Sequence, residues 1–295
     1  MIRRVRHLLE MIRFSHTLFA LPFALLAGAM AWAANAADDP PTPLHWQDWA
    51  GILVCMVFAR SAAMAFNRLA DRRFDALNPR TAARHLPQGT LSAGAVAAFT
   101  VVCGLGFVAG TLLFLPRNPL PLWAAAPVLL FLFGYSFAKR FTVLAHFWLG
   151  TALMLAPVAA WVALRPQFDW SPLALGAAVL FWVAGFDIIY ACQDAAFDAA
   201  MRLKSLPARL GPARALRWAA ACHALMVVAL ALVPLCYPRF GGVFWCGVAA
   251  IAMLLCYEHW LVRPDDLSRV NRAFFHVNAV VSLGLLAAGV LDLFL

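Results

Sequence analysis

Two groups of polar residues recur at helical spacing: Asn67, Asp71 and Asp75, and then Asp187, Tyr190, Asp194 and Asp198. Both close long apolar runs in a chain that carries only 14 acidic residues among 295. Charge placed at bilayer depth is costly and is usually retained for function. Positions four apart on an α-helix drift by only about 40°, so Asn67, Asp71 and Asp75 project to one face. By the same arithmetic the second group falls within about 80°. Two acidic stripes brought face to face in a low-dielectric setting require a cation. Oxygen-only ligands favour a hard ion, Mg2+ above all, which takes one or two carboxylates and completes its shell with substrate phosphates.

Basic residues surround both stripes. Arg68, Arg72, Arg80, Arg84, Lys139, Arg140, Arg202 and Lys204 lie within a turn or loop of them, a mixture suited to a polyanion bridged to the protein through metal. Carboxylates, metal, basic loops and apolar helices together fit a substrate with a diphosphate head and a long hydrocarbon tail. A prenyl diphosphate has that shape.

The elements that must position these groups are membrane helices. Hydrophobic residues make up 64% of the chain and charged residues 13%, a composition outside the soluble range. At about 20 residues per crossing, nine spans are expected, near 14–34, 48–66, 93–115, 121–138, 143–164, 172–192, 214–235, 242–262 and 273–294. The fold class expected is therefore all-α, a polytopic bundle of nine transmembrane helices forming one domain over 1–295. The acidic groups end spans 2 and 6, which divides that domain into two four-helix halves, about 1–138 and 143–262, plus a ninth helix.

The first span follows Arg3, Arg4 and Arg6 but has no clean cleavage site, so it is read as retained. The stretch from Arg3 to Arg13 reads either as an amphipathic surface helix or as an extension of span 1. The seven cysteines show no metal-binding or disulfide spacing and read as core residues. His16 and Arg60 are polar within spans: His16 reads equally as an inter-helix hydrogen-bonding group or as a substrate contact, whereas Arg60 reads first as a structural bond to backbone or an acid, with a substrate carboxylate as the alternative.

Of 23 Lys and Arg residues, 19 fall on one side of the nine-span arrangement. The enrichment of these residues in cytoplasmic loops places the N-terminus and both acidic motifs at the cytoplasmic face, with the protein in the inner membrane. The net charge of +9 reflects this side and contact with the lipid bilayer. It is not a nucleic-acid footprint, because no reading module accompanies it, and no protein partner is evident. A cation transporter, the reading from another class, would place acids near the midplane on broken helices.

Asn67-Arg68-Leu69-Ala70-Asp71-Arg72-Arg73-Phe74-Asp75 with Asn78-Pro79-Arg80-Thr81, and Asp187-Ile188-Ile189-Tyr190 with Gln193-Asp194 and Phe197-Asp198, resemble the paired motifs of the UbiA-type intramembrane prenyltransferases. Tyr135-Ser136, Lys139-Arg140 and Lys204-Ser205-Leu206-Pro207 fit as well. The resemblance covers essentially the whole chain. It implies a helical bundle around a central cavity in which Mg2+ binds a polyprenyl diphosphate and an aromatic acceptor attacks the ionised allyl group. It also implies roles: Asp71, Asp75, Asp194 and Asp198 as metal ligands; Asn67, Arg72, Arg80, Lys139, Arg140 and Lys204 as diphosphate contacts; and Asp187, Tyr190 and Lys139 as catalytic groups. Many members carry Asp where this chain has Arg68, which replaces a potential ligand by a base.

Phe14-Ser15-His16-Thr17-Leu18-Phe19-Ala20-Leu21-Pro22-Phe23 is similar to the 4-hydroxybenzoate polyprenyltransferase-like branch. That branch includes futalosine-route enzymes of menaquinone synthesis that act on a dihydroxynaphthoate. Acceptors such as haem, chlorophyllide or a lipid glycerol phosphate are the alternatives within the enzyme class.

Overall fold

A computed structural model describes residues 2–12, 19–43 and 45–295. His16 and the start of the expected first span lie outside the described residues. Among the described residues there are thirteen α-helices and no strands: α1 Ile2–Met11, α2 Leu21–Ala36, α3 Trp46–Leu77, α4 Ala93–Thr111, α5 Leu120–Phe141, α6 Ala145–Leu164, α7 Trp170–Ala191, α8 Ala195–Ala200, α9 Leu206–Leu210, α10 Pro212–Cys236, α11 Gly242–Leu261, α12 Val270–Arg272 and α13 Asn278–Leu293. Eight helices are long and apolar enough to cross a membrane, and α2 is a shorter apolar helix. All nine expected spans correspond to a helix. The second differs most, because α3 continues eleven residues past position 66, to Leu77, and so carries the whole first acidic motif.

The chain forms two compact units. Met1–Thr17 and His45–Phe137 make the first, and Leu18–Leu44 and Ala138–Leu295 the second. The final turn of α5 thus belongs to the second unit.

In the first unit α3 and α4 pack closely because small residues permit it. Phe114 lies against Gly51, Phe58 against Gly106, and Val54 with Cys55 against Gly110. Phe66 stacks on Phe133 at 4.4 Å and joins α3 to α5. His45 and Asp48 form a reciprocal cap at the start of α3, and Arg117 pairs with Asp48 at 2.9 Å. At the other end α1 is a distinct helix. Its Met11 and the following Ile12 are buried with Ala65, Leu91 and Val96, and Leu8 and Leu86 pack alongside.

In the second unit α7 lies between α6 and α10 and is the most buried long helix. Leu175, Ala178, Val179, Trp182, Val183 and Ala184 are fully enclosed. Glycine again sets the distance of approach: Gly150 of α6 faces the Leu180 carbonyl, and Gly185 of α7 faces the His223 ring. The opposite surface of α10 exposes Leu225, Val228, Leu232 and Leu235 at helical spacing, the apolar face that a lipid environment accepts.

Polar groups are consumed at the helix ends. The Asn35 amide donates to the Leu164 carbonyl at 3.0 Å, and Arg165 grips Asp38 through both nitrogens, which holds the Asp38 carboxyl below its ordinary range. Asp292 accepts from the Gly241 and Phe244 amides at 2.6 and 3.2 Å and caps α11. Inside the unit, Trp182 donates to Asn278 at 2.7 Å.

A methyl group at Gly150 would meet the backbone of α7, which cannot yield as a flexible side chain does. Gly150→Ala is expected to destabilise the protein by about 1–3 kcal/mol. Gly284→Ala, which meets nothing within 4 Å, is expected to be neutral or slightly stabilising. Thermal unfolding midpoints in detergent check both.

Candidate active site

The last three turns of α3 build the first polar cluster. The Asn67 side-chain amide donates to Asp71 Oδ2 at 2.9 Å and approaches Ser136 Oγ at 3.5 Å. Asn78 ends the helix in an extended conformation, as a residue preceding proline must. Its side chain accepts from the Arg80 amide at 3.0 Å, and the chain turns back. Thr81 then donates to the Asp75 carbonyl at 3.0 Å, and Arg84 Nη1 donates to Asp75 Oδ1 at 2.7 Å. Asp75 is buried, and its Oδ2 has no hydrogen-bond partner. A buried carboxylate oxygen left open in this way is costly unless another cation or donor reaches it. Arg72 and Arg80 are exposed, whereas Arg68 is buried.

The second polar cluster lies at the end of α7. The helix tightens into a 3-10 turn over Cys192–Asp194 and resumes as α8. The second motif therefore runs over the end of α7, the 3-10 turn and the short α8, and the rotation per residue of a continuous helix does not carry through them. Asp187 and Tyr190 precede the turn, Asp194 ends it, and Asp198 sits in α8. Asp194 and Asp198 are buried, while Asp187 and Tyr190 are partly exposed. Lys139 Nζ donates to Asp198 Oδ2 at 3.3 Å. The Lys204 amide donates to the Lys139 carbonyl at 2.6 Å and its Nζ to the Phe141 carbonyl at 3.2 Å. Lys139 and Lys204 are thus assembled together, and the neighbouring Arg140 is exposed. Ser205 then caps α9, accepting from the Ala208 amide.

Asp187 has its own partner, His146, which the sequence left as an ordinary residue of the fifth span. His146 is fully buried, with Nδ1 2.7 Å from Asp187 Oδ2. The Leu206 amide lies 3.3 Å from His146 Nε2. A backbone N–H can only donate, so Nε2 is the acceptor and the ring proton resides on Nδ1, where it is given to Asp187. A neutral imidazole therefore fixes an acceptor-only carboxylate in one orientation. No pattern in the sequence marks this pair, since 41 positions separate its members. Arg84 stood among the bases near the first stripe, but its contact with Asp75 depends on the turn at Asn78.

Each cluster offers hard oxygen ligands next to a cationic side chain, and Asp75 Oδ2 supplies an open one. The residues present thus fit a Mg2+–diphosphate pair. Asp71 and Asp75 in the first unit, and Asp194 and Asp198 in the second, are the candidate carboxylates for such an ion, which when bound neutralises the charge of phosphate oxygens.

The sequence profile of the UbiA prenyltransferase family matches residues 18–280. The 4-hydroxybenzoate octaprenyltransferase of Aromatoleum aromaticum is 30% identical over 266 residues, covering 87% of this chain and 85% of that protein. The enzyme of the same name from Nitrosomonas eutropha is 32% identical, covering 85% and 86%. Among solved structures, the apo form of a UbiA homolog from Aeropyrum pernix K1 superposes with a TM-score of 0.81 at 30% identity, over 95% of this chain and 98% of that one. A UbiA homolog from Archaeoglobus fulgidus bound to DMAPP and Mg2+ shares the fold, with a TM-score of 0.73 at 20% identity over 98% and 99%. The chain belongs to the UbiA prenyltransferase family. It is a multi-pass membrane enzyme of prenyl transfer.

Replacing His146 by Leu removes the donor to Asp187 and the acceptor for Leu206 together. Each orphaned group costs about 1–3 kcal/mol. His146→Leu is expected to lower the thermal midpoint and to cut turnover at least tenfold, with His146→Gln intermediate in both, as read by unfolding in detergent and by prenyl-transfer rate.

Proposed function

We propose that this enzyme transfers a polyprenyl group from a polyprenyl diphosphate to the ring of a phenolic carboxylate, 4-hydroxybenzoate or a close analogue such as a dihydroxynaphthoate, with Mg2+ as cofactor, in quinone biosynthesis. The observation that carries the reading is the open, buried Oδ2 of Asp75 beside Arg84, in a chain about 30% identical to 4-hydroxybenzoate octaprenyltransferases over most of its length.

In this reading Asn67, Asp71 and Asp75 act with Asp194 and Asp198 on one diphosphate, and Arg72, Arg80, Lys139, Arg140 and Lys204 add positive charge around it. These cations stabilise the departing diphosphate as the allylic C–O bond breaks, where preorganised charge has its largest effect. The electron-rich ring of the acceptor then forms the new C–C bond and loses its ring proton. Asp187, oriented by His146, positions the acceptor or takes its proton, with Tyr190 one helical turn further on.

Arg60 lies two turns before Asn67 on α3, and its Nε is buried without a hydrogen-bond partner. It supplies the cation that the acceptor carboxylate needs. The distribution of Lys and Arg supports a place in the inner membrane, with the N-terminus and both acidic motifs at the cytoplasmic face.

Purified protein incubated with Mg2+, a long polyprenyl diphosphate and 4-hydroxybenzoate or dihydroxynaphthoate is expected to yield a prenylated acceptor. A folded protein that prenylates no phenolic carboxylate would overturn the assignment. Asp71→Ala and Asp194→Ala should each lower kcat at least a thousandfold, and chelation should abolish turnover until Mg2+ is restored. Arg60→Ala should raise the KM for the acceptor at least tenfold while changing that for the prenyl donor little.

A further inference from the structure

Helix α1 meets the 78–92 loop through more than its apolar face. His7 and Glu10 stand three apart on α1 and project to one side. Leu8, Met11, Ile12 and Leu86 pack in one cluster, and Leu86 brings its neighbour His85 to the same side. The His85 carbonyl accepts from the Thr90 amide and hydroxyl, each at 3.0 Å, and from the Leu91 amide at 3.3 Å. The backbone that carries the imidazole is therefore fixed.

The three side chains converge. Ligand atoms of His7, Glu10 and His85 all lie within 4.8 Å of one another. Glu10 uses Oε1 to accept from Arg6 Nε at 2.8 Å, which turns Oε2 toward both rings. His7 Nδ1 lies 3.5 Å from that oxygen and His85 Nε2 3.7 Å. His7 Nδ1 is buried and has no hydrogen-bond partner. These separations are long for direct hydrogen bonds. They approach the edge of a tetrahedron around Zn2+, where ligand atoms about 2.0–2.1 Å from the ion stand about 3.4 Å apart. Two imidazoles and one carboxylate are also the donor set of a borderline transition ion and not of Mg2+.

We propose that His7, Glu10 and His85 form a site for a divalent transition metal of the Zn2+ class, distinct from the aspartate motifs, which fastens α1 to the 78–92 loop. Three protein ligands leave a position for water. The neighbour of His85 is Arg84, the partner of Asp75, so an occupied site immobilises the segment that presents Arg84. The proposal stands independently of which acceptor the enzyme prenylates.

The test uses full-length protein without a polyhistidine tag, in detergent, stripped of metal and held in excess Mg2+. Co2+ is titrated as the probe and followed by its visible ligand-field absorption. One Co2+ per chain is expected, displaced by Zn2+, with amide exchange slowed in α1 and in 78–92 on binding. His7→Gln, Glu10→Gln and His85→Gln should each weaken binding at least tenfold, while His7→Gln keeps wild-type prenyl transfer in Mg2+ alone. Absence of the absorption, or wild-type affinity in the His7 and Glu10 variants, would overturn the proposal. Because the Glu10 side chain is exposed and that of His7 only part-buried, these two variants report even if His85→Gln fails to fold.

Discussion

An ionised carboxylate beside a membrane core must be matched by a donor or cation within reach, and this requirement organises each of the two acidic clusters. Asp71 takes an amide from Asn67, Asp75 takes Arg84, Asp187 takes His146 and Asp198 takes Lys139. Each partner is different, and each is delivered by a different device: the same helix, a turn that doubles back, the start of a neighbouring helix, or the last turn of α5. Breaking a buried charge pair on one side leaves the other charge exposed to a poor solvent. The polar groups therefore restrain the backbone segments that carry them.

Those restraints matter because the segments concerned leave the regular path of a long helix. The 78–92 turns follow α3 and the break at Cys192–Asp194 separates α7 from the short α8, while the long helices themselves approach through glycine contacts. Close approach of helices supplies the rigidity that lipid cannot. In the second unit the enclosure of α7 between α6 and α10 fixes the depth and direction of Asp187, and the pair with His146 fixes its rotation. Rigid helices and polar restraints thus act in series, from small residues in the apolar layer to oriented oxygens at its edge.

Much of this was legible before any coordinates. Apolar runs of about twenty residues can only be membrane helices when backbone groups must be satisfied internally, and the nine expected spans correspond to helices. The acidic motifs were equally legible, because an aspartate is rare in such surroundings and a repeated set is conspicuous. The spacing of the first motif also indicated a helix, and α3 carries all of it by running past its apolar window to Leu77. One local feature did not follow: the second motif is divided by a 3-10 turn that no change in composition announces.

The sequence by itself determined the class of fold, the kinds of polar side chain gathered in the two motifs and the family, since all three depend on residue type and local period. Tertiary structure alone decided which cation meets which aspartate, that His146 carries its proton on Nδ1, that Asp75 keeps one oxygen open, and that His85 joins His7 and Glu10. These are contacts across loops or tens of residues, and their energies depend on distance and orientation. Helical period and hydropathy place a side chain on a face, but only the packing of the other elements determines what stands opposite it.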